Sequence, residues 1–226
     1  MPLPHISRIN SAFTRMDLLC VVAALLVLAA AGLPILGGTP LREKRLICAN
    51  NLHMAGKAFQ GFALDHGGNI PWRVGRPQGG SAGQTGASDH WRTLSNYLQS
   101  PRLLVCPSGR RLPALSFSTL LNRNVSYLIG SDSEFRQPGT LVSGDLDIEG
   151  GGIATCSYVG KALVQSFEGL FGVPDSYVAR WSATNHYLRG NLLTGDGSVR
   201  QTDAVGLKAT LSGSTDPGNN SHSLIP

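Results

Sequence analysis

Charged and aromatic residues are both scarce in this chain of 226 residues. Charged residues make up 15% of the sequence and aromatic residues 7%. Arginine supplies most of the positive charge, and the stretch from Arg73 to Arg123 contains Asp89 as its sole acid. Such a stretch can face nucleic acid or lipid headgroups, but it holds no recognisable nucleic-acid-binding motif. We therefore expect a solvated basic surface and no nucleic-acid partner.

Catalytic motifs and cysteine are both scarce. The sequence contains no H-E-x-x-H, S-x-x-K or C-x-x-C pattern, and its one G-x-S-x-G match, residues 79–83, falls within the glycine-rich loop predicted at residues 75–88. Its four cysteines do not combine with histidines at the spacing of a structural zinc site. These absences argue against the common hydrolase classes. They predict a protein that is not an enzyme and has no catalytic residue, metal or cofactor.

A long uncharged run is the strongest feature that is present. Residues 18–36 read LLCVVAALLVLAAAGLPIL. As a helix this run is roughly 28 Å long, close to the ~30 Å hydrocarbon core of a bilayer. Arg15 precedes the run, and positive charge before a first span keeps that end in the cytoplasm. The run predicts a membrane helix followed by an extracytoplasmic domain. The alternatives are a buried soluble helix and a secretory signal cut near Ala31 or Gly32.

The residues around the start of this run resemble a known processing signal. Residues 11–19, SAFTRMDLL, are similar to the prepilin junction of type IV pilins and type II secretion pseudopilins. The resemblance implies that a prepilin peptidase cuts after Ala12 and that Phe13 becomes N-methylated. It implies that Asp17 neutralises the new ammonium group of a neighbouring subunit, and that Pro34 kinks the assembly helix. Local pairing of Asp17 with Arg15 is the alternative.

An amphipathic helix is predicted after the apolar run. Thr39 and Pro40 form a suitable N-cap and first turn, and the helix should end near Asp65. Apolar residues recur along it at spacings of four, three, four and three, which makes one stripe. The stripe consists of Cys48, Leu52, Ala55, Phe59 and Phe62.

Short segments of the remaining chain predict a small antiparallel sheet. Residues 91–98 favour a short helix, and Asp196-Gly197 favours a hairpin turn. The predicted strands are residues 103–105, 125–129, 140–143, 187–194 and 198–202. We therefore predict an α+β fold in which a long N-terminal helix, membrane-spanning and then amphipathic, packs on the sheet. The predicted regions are a leader (1–12), an assembly helix (13–38), an extracytoplasmic domain (39–211) and a flexible tail (212–226).

Further motifs extend the resemblance to the end of the domain. His186, Asp196 and Gly197 form the H-x9-DG signature of a pilin-like subfamily from planctomycetes and verrucomicrobia. His186 and Asp196 could also form a catalytic or metal-binding dyad if a hairpin joins them. A second option is structural calcium bound by three acids. These acids are Asp145, Asp147 and Glu149. None matches a calcium-loop spacing, so a structural role is the preferred interpretation.

One disulfide is expected outside the cytoplasm. Cys20 lies within the apolar run, which leaves three cysteines and at most one internal bond. The preferred pair is Cys48 with Cys106, because it would hold the amphipathic helix against the sheet. Cys156 is then the unpaired one.

The resemblance implies a structural function. The chain would be a subunit of a type IV pilus-like or type II secretion pseudopilus filament, held in the inner membrane before assembly. Its partners would be the prepilin peptidase, other pilin or pseudopilin subunits and inner-membrane lipid. Two alternatives stay open: a membrane-anchored binding domain that does not polymerise, and a periplasmic enzyme that uses the His186 region.

Overall fold

A computed structural model describes eight parts of the chain: residues 14–36, 40–150, 152–156, 162–167, 179–184, 186–214, 221–224 and 226. Within these, residues 29–36, 40, 152–156, 162–167, 221, 222 and 224 are described by their backbone only. The predicted cleavage and methylation positions, Ala12 and Phe13, lie outside the described residues. The chain divides into two compact units, Met1–Pro40 and Leu41–Pro226.

The first unit contains helix α1, Arg15–Leu36, which includes Pro34. Reciprocal hydrogen bonds cap its start. The Asp17 amide donates to the Thr14 hydroxyl at 3.2 Å, and the Thr14 amide donates to Asp17 Oδ2 at 2.9 Å. This arrangement is a capping box, with aspartate as its acid. The local partner of Asp17 is therefore Thr14.

The described side chains of α1, residues 15–28, are all exposed. Most of them are large and apolar. Among the residues that the structure describes, no helix is both long and apolar enough to cross a membrane. The assignment of residues 13–38 as a membrane helix stays a prediction.

Helix α2, Pro40–Asp65, lies in the second unit apart from its first residue. Its predicted apolar stripe, from Cys48 to Phe62, is buried along its whole length. The helix ends where Gly67 and Gly68 adopt positive φ angles of 63° and 91°, a left-handed conformation that favours glycine. The predicted periodicity, start and end of this helix are confirmed.

Antiparallel strands form a seven-stranded sheet and a two-stranded sheet. The strands are β1 (Tyr127–Gly130), β2 (Leu141–Asp145), β3 (Ile148–Glu149), β4 (Gly152–Cys156), β5 (Ala162–Phe167), β6 (Arg180–Trp181), β7 (Gly190–Thr194), β8 (Val199–Thr202) and β9 (Ser221–Leu224). The order in the larger sheet is β4-β5-β9-β1-β2-β7-β8, and β3 pairs with β6. Two shorter helices complete the unit, α3 (Ala87–Thr93) and α4 (Ala204–Ser212). The fold class is α+β, as predicted.

Hydrophobic side chains cover both faces of the larger sheet. Because side chains alternate along a strand, Tyr127 and Ile129 of β1 join one buried cluster and Leu128 joins another. The first cluster includes the α2 stripe. The second includes Leu207 of α4 and Trp181 of β6. The sheet is therefore the middle layer of the second unit.

Two local predictions were wrong. Residues 103–105 form no strand; Pro101–Leu104 is a 3-10 helix, because the Ser100 hydroxyl accepts a hydrogen bond from the Arg102 amide and a proline stands at the first position. The predicted helix at 91–98 is instead α3, which begins four residues earlier and ends at Thr93.

Two strand assignments also changed. The strand predicted at 187–194 begins only at Gly190, because Tyr187 and Leu188 adopt φ angles of 53° and 57° and turn the chain. Part of the C-terminal tail belongs to the sheet, since β9 pairs with both β1 and β5. The tail offered little strand signal because it is rich in serine, glycine and asparagine.

Replacing Phe59 by alanine should destabilise the second unit strongly. The ring is fully buried, and its centroid lies 5.6 Å from that of Trp72 and 5.4 Å from that of Trp91. The loss in the free energy of unfolding should be about 3–5 kcal/mol. Leu64→Ala is the matched control on the same helix, because Leu64 is 65% exposed. Urea unfolding of the detergent-solubilised chain, followed by tryptophan fluorescence, measures both; equal losses would contradict the packing described.

Candidate functional site

A disulfide joins Cys48 of α2 to Cys106, with the two Cα atoms 5.2 Å apart. This is the pairing that the sequence analysis preferred. Close to it, the Asn51 amide group donates to the Val105 carbonyl at 3.1 Å. Both contacts attach α2 to the segment that follows the 3-10 helix at Pro101–Leu104. Cys20 is free and exposed on α1.

His186 lies against this disulfide. Its Nε2 atom is 3.3 Å from Cys106 Sγ and 3.3 Å from Asp145 Oδ2. His186 and Asp145 are 1% and 2% exposed. Arg45 of α2 donates to the His186 carbonyl at 2.7 Å. Contacts to its ring and to its backbone carbonyl therefore both position His186.

Strand pairing positions the carboxylate of this pair. Asp145 ends β2, and the register that places Gly144 opposite Leu192 brings Asn191 of β7 beside it. The Asn191 backbone amide and side-chain amide both donate to Asp145 Oδ2, at 2.8 and 2.9 Å. Among the described residues, no group makes a hydrogen bond with Asp145 Oδ1 or His186 Nδ1. Each residue thus keeps one uncommitted donor or acceptor atom.

Burial sets the charge state of the pair. Burial raises the pKa of Asp145 to about 7, against the opposing effect of the Asn191 hydrogen bonds. Burial also lowers the pKa of His186 to about 4, and the positive charge of Arg45 acts in the same direction. Between these values the two side chains together hold one proton. The pair therefore carries no net charge near pH 5 to 6.

A cavity of about 680 Å³ opens onto the cluster. Cys106, Asp145 and His186 lie in its wall, together with Arg110 and Arg111. With Asp147, the wall thus combines two acids, an imidazole and two cations. The sulfur of Cys106 is not a free nucleophile here, because it is bonded to Cys48.

The H-x9-DG residues do not form a dyad. His186 precedes β7 and Asp196 follows it, so a strand of five residues, roughly 17 Å, separates them. Asp196 belongs to the β7–β8 turn, where its Oδ1 accepts from the Thr194 hydroxyl at 2.6 Å and the Ser198 amide at 3.0 Å. These bonds, the Thr194 one above all, lower the pKa of Asp196 to about 2. Gly197 follows with φ of 79°.

The three acids considered for calcium diverge. Asp145 and Asp147 both lie in the cavity wall. Glu149, in β3, lies beside Arg180 of β6 instead, with 3.3 Å between its Oε2 atom and Arg180 Nε. The three carboxylates therefore do not form one ligand set in the described structure.

The partners of His186 were not predicted from the sequence. Asp145 is 41 positions away along the chain, and Cys106 is 80 positions away. Only the register of β2 against β7, together with the docking of α2, brings them together. No spacing between cysteine, aspartate and histidine in the sequence indicated that Cys106, Asp145 and His186 would meet.

Comparisons with known proteins give no assignment. No protein-family profile, curated protein or solved structure matches the chain. Function must therefore be inferred from the residues and contacts of the chain itself.

Replacing either Asp145 or His186 should make the free energy of unfolding depend on pH through the residue that remains. Between about pH 4 and 6.5, the pair holds one proton when folded. In the unfolded chain the pKa of Asp145 is near 3.8 and the pKa of His186 is near 6.5, so the pair also holds one proton. The two contributions to the free energy of unfolding therefore cancel. Asp145→Asn leaves a histidine that is neutral only when folded, so stability should rise with pH in this window. His186→Gln leaves an acid protonated only when folded, so stability should fall.

The slopes relative to the unsubstituted chain are at most about 1.4 kcal/mol per pH unit, the value for one proton. Urea unfolding of the three oxidised proteins at several pH values, with a chelator present, measures them. Parallel curves for all three proteins would contradict the pairing.

Proposed function

We propose that the chain is a structural, non-enzymatic subunit of a type IV pilus-like or type II secretion pseudopilus filament. In this function α1 is the assembly helix, and the second unit is the domain displayed outside the cytoplasm. The exposed apolar surface of α1 is the observation that carries the proposal. The prepilin-type junction in the sequence supports it.

The surface of α1 needs an apolar environment. The large apolar side chains described between Leu18 and Leu28 are 44–68% exposed, and they occur on all sides of the helix. Burial of such a surface contributes roughly 25 cal/mol per Å², so the helix is stable when lipid or equivalent helices cover it. The sequence stays uncharged to Leu36. We propose that inner-membrane lipid surrounds α1 before assembly and that neighbouring subunits surround it afterwards.

Small residues favour contact between copies of α1. Ala23 and Ala24 lie in the described part of the helix. Small side chains let helices approach closely where lipid provides no hydrophobic driving force. A repeated head-to-tail contact of this kind does not close, so it generates a helical fibre.

Asp17 has the chemistry that a processed N-terminus requires. Prepilin peptidase would cut between Ala12 and Phe13 and leave an ammonium group on Phe13. A carboxylate at the head of an apolar helix is costly unless it is paired. In the single chain, Thr14 satisfies Asp17 by hydrogen bonds but brings no positive charge. The ammonium group of a neighbouring subunit would supply that charge.

The second unit suits a passive, displayed domain. Its core is continuous from α2 to the sheet, and a disulfide crosses it. The sulfur in the cavity wall is oxidised, and His186 and Asp145 contact each other and the disulfide. This arrangement supports a structural role for the polar cluster, as part of the domain's stability.

N-terminal mass spectrometry of the native membrane fraction tests the processing step. A chain that begins with N-methylated Phe13 supports the proposal. A chain cut near Ala31 or Gly32 indicates ordinary secretion, and one that keeps residues 1–12 indicates a simple anchor. Either of the last two results would overturn the filament function.

Asp17→Ala should block incorporation into filaments while the monomer stays folded. Leaving the ammonium group of a neighbour unpaired in an apolar contact costs about 3 kcal/mol or more, so incorporation should fall roughly 100-fold. Thr14→Ala is the matched control, because it removes the capping hydroxyl and leaves the carboxylate. Immunoblotting of sheared filaments against membranes measures both. Normal incorporation of the Asp17 variant would refute the role of this acid in assembly.

A further inference from the structure

Four potential metal-binding atoms converge at the buried site. One atom each from Cys48, Cys106, Asp145 and His186 lies within 4.8 Å of the others, and all four residues are buried. They come from separate parts of the second unit: α2, the segment after the 3-10 helix, the end of β2 and the segment before β7. No spacing in the sequence indicates this convergence.

The separations between these atoms suit tetrahedral zinc. Zinc bonds of about 2.3 Å to sulfur and about 2.0–2.1 Å to nitrogen or oxygen place neighbouring ligand atoms roughly 3.3–3.8 Å apart. Cys106 Sγ lies 3.3 Å from His186 Nε2, and His186 Nε2 lies 3.3 Å from Asp145 Oδ2. These two distances are therefore already close to those of a zinc site, and every other pair of these atoms lies within 4.8 Å. Two sulfurs and an imidazole also favour zinc over magnesium or calcium.

The surroundings of the acid resemble the outer shell of a metal site. Asn191 donates two hydrogen bonds to Asp145 Oδ2, which orients the carboxylate. Among the described residues, Asp145 Oδ1 has no partner although the residue is 2% exposed. Arg45 donates to the His186 carbonyl, so a cation lies beside a cluster whose bound form would carry a net negative charge. The acid thus has an orienting neighbour and an unused oxygen.

The disulfide is what prevents metal binding. Sulfurs bonded to each other are not thiolates, and zinc requires thiolates. We propose that reduction of the Cys48–Cys106 disulfide converts this cluster into a zinc site, with Cys48, Cys106, Asp145 and His186 as its four ligands. The proposal does not depend on the filament function.

A dithiol reductant can reach one of the two sulfurs. Cys106 is 4% exposed and lies in the cavity wall, whereas Cys48 is fully buried. A thiolate of the dithiol bonds to Cys106 Sγ, the Cys48–Cys106 bond breaks, and Cys48 leaves as a thiolate. The second thiol of the reductant then displaces Cys106. The dithiol ends as a disulfide, the chain holds two thiols, and zinc displaces their protons on binding.

Zinc would preserve the cross-link in reduced protein. The disulfide joins two segments, whereas the zinc site would join four. Loss of the covalent bond would therefore not release α2 from the sheet while zinc is present. We expect zinc to raise the unfolding temperature of the reduced chain and to leave that of the oxidised chain unchanged.

Zinc titration of the full chain tests the proposal. The detergent-solubilised chain carries Cys20→Ser and Cys156→Ser, so that Cys48 and Cys106 are its only thiols. One sample stays oxidised; the other is treated with dithiothreitol, which is then removed without air. Competition with a chromophoric chelator measures zinc affinity, and Co²⁺ absorption reports the coordination geometry. We expect one zinc per reduced chain, none per oxidised chain, and the spectrum of tetrahedral, thiolate-bound cobalt.

Substitutions distinguish zinc bound by all four ligands from zinc bound by the two cysteine thiolates alone. Asp145→Asn and His186→Gln should each lower the zinc affinity of the reduced chain at least roughly tenfold. His186→Cys should retain binding, because it supplies another zinc ligand. His53→Ala is the matched control, since His53 is exposed on α2.

Three results would overturn the proposal. The first is a reduced chain that binds no zinc, and the second is an oxidised chain that binds it equally well. The third is an affinity unchanged by both Asp145→Asn and His186→Gln. If these variants do not fold, the cobalt spectrum of the unsubstituted reduced chain decides, because octahedral cobalt would exclude the four-ligand site.

Discussion

The packing of α2 against the sheet is the contact on which the second unit depends. Its stripe of apolar side chains is fully buried and meets side chains of β1, β2 and β7 in one cluster. The largest members, Phe59 and Phe62, lie near its C-terminal end, and the disulfide from Cys48 lies nearer its N-terminal end. Apolar contact thus holds the C-terminal part of the helix, and a covalent bond holds it at Cys48. A helix held at these two places forms the layer on one face of the sheet.

The polar cluster exists because of that docking. Arg45 and Cys48 lie one turn apart on α2, and they approach His186 and Asp145 from the helix side. From the sheet side, Asn191 orients the acid. A buried acid and imidazole are costly as separate charges, and burial moves both pKa values toward a neutral pair. The cluster is therefore compatible with the core without an ion pair, and moving α2 would expose it to water.

Local patterns predicted the elements whose structure is determined locally. The α2 stripe follows the helical period over four turns, and the Asp196-Gly197 turn needs only residues beside it. The strands β5 and β9 and the contact of His186 with Asp145 depend on pairing between distant segments. The sequence of β9, SHSL, gives no apolar alternation, and its position between β5 and β1 depends on pairing with those two strands. The site could therefore not be predicted from the sequence, although Cys48–Cys106 was the preferred disulfide.

The two units differ in the exposure of their described apolar side chains. In the second unit, apolar side chains from both faces of the sheet are covered within the chain. In α1, the described apolar side chains are exposed. A domain complete in itself can be displayed without a partner, whereas an uncovered apolar helix cannot be stable in water. The filament function that we propose therefore rests on α1, and the zinc site that we propose lies in the second unit.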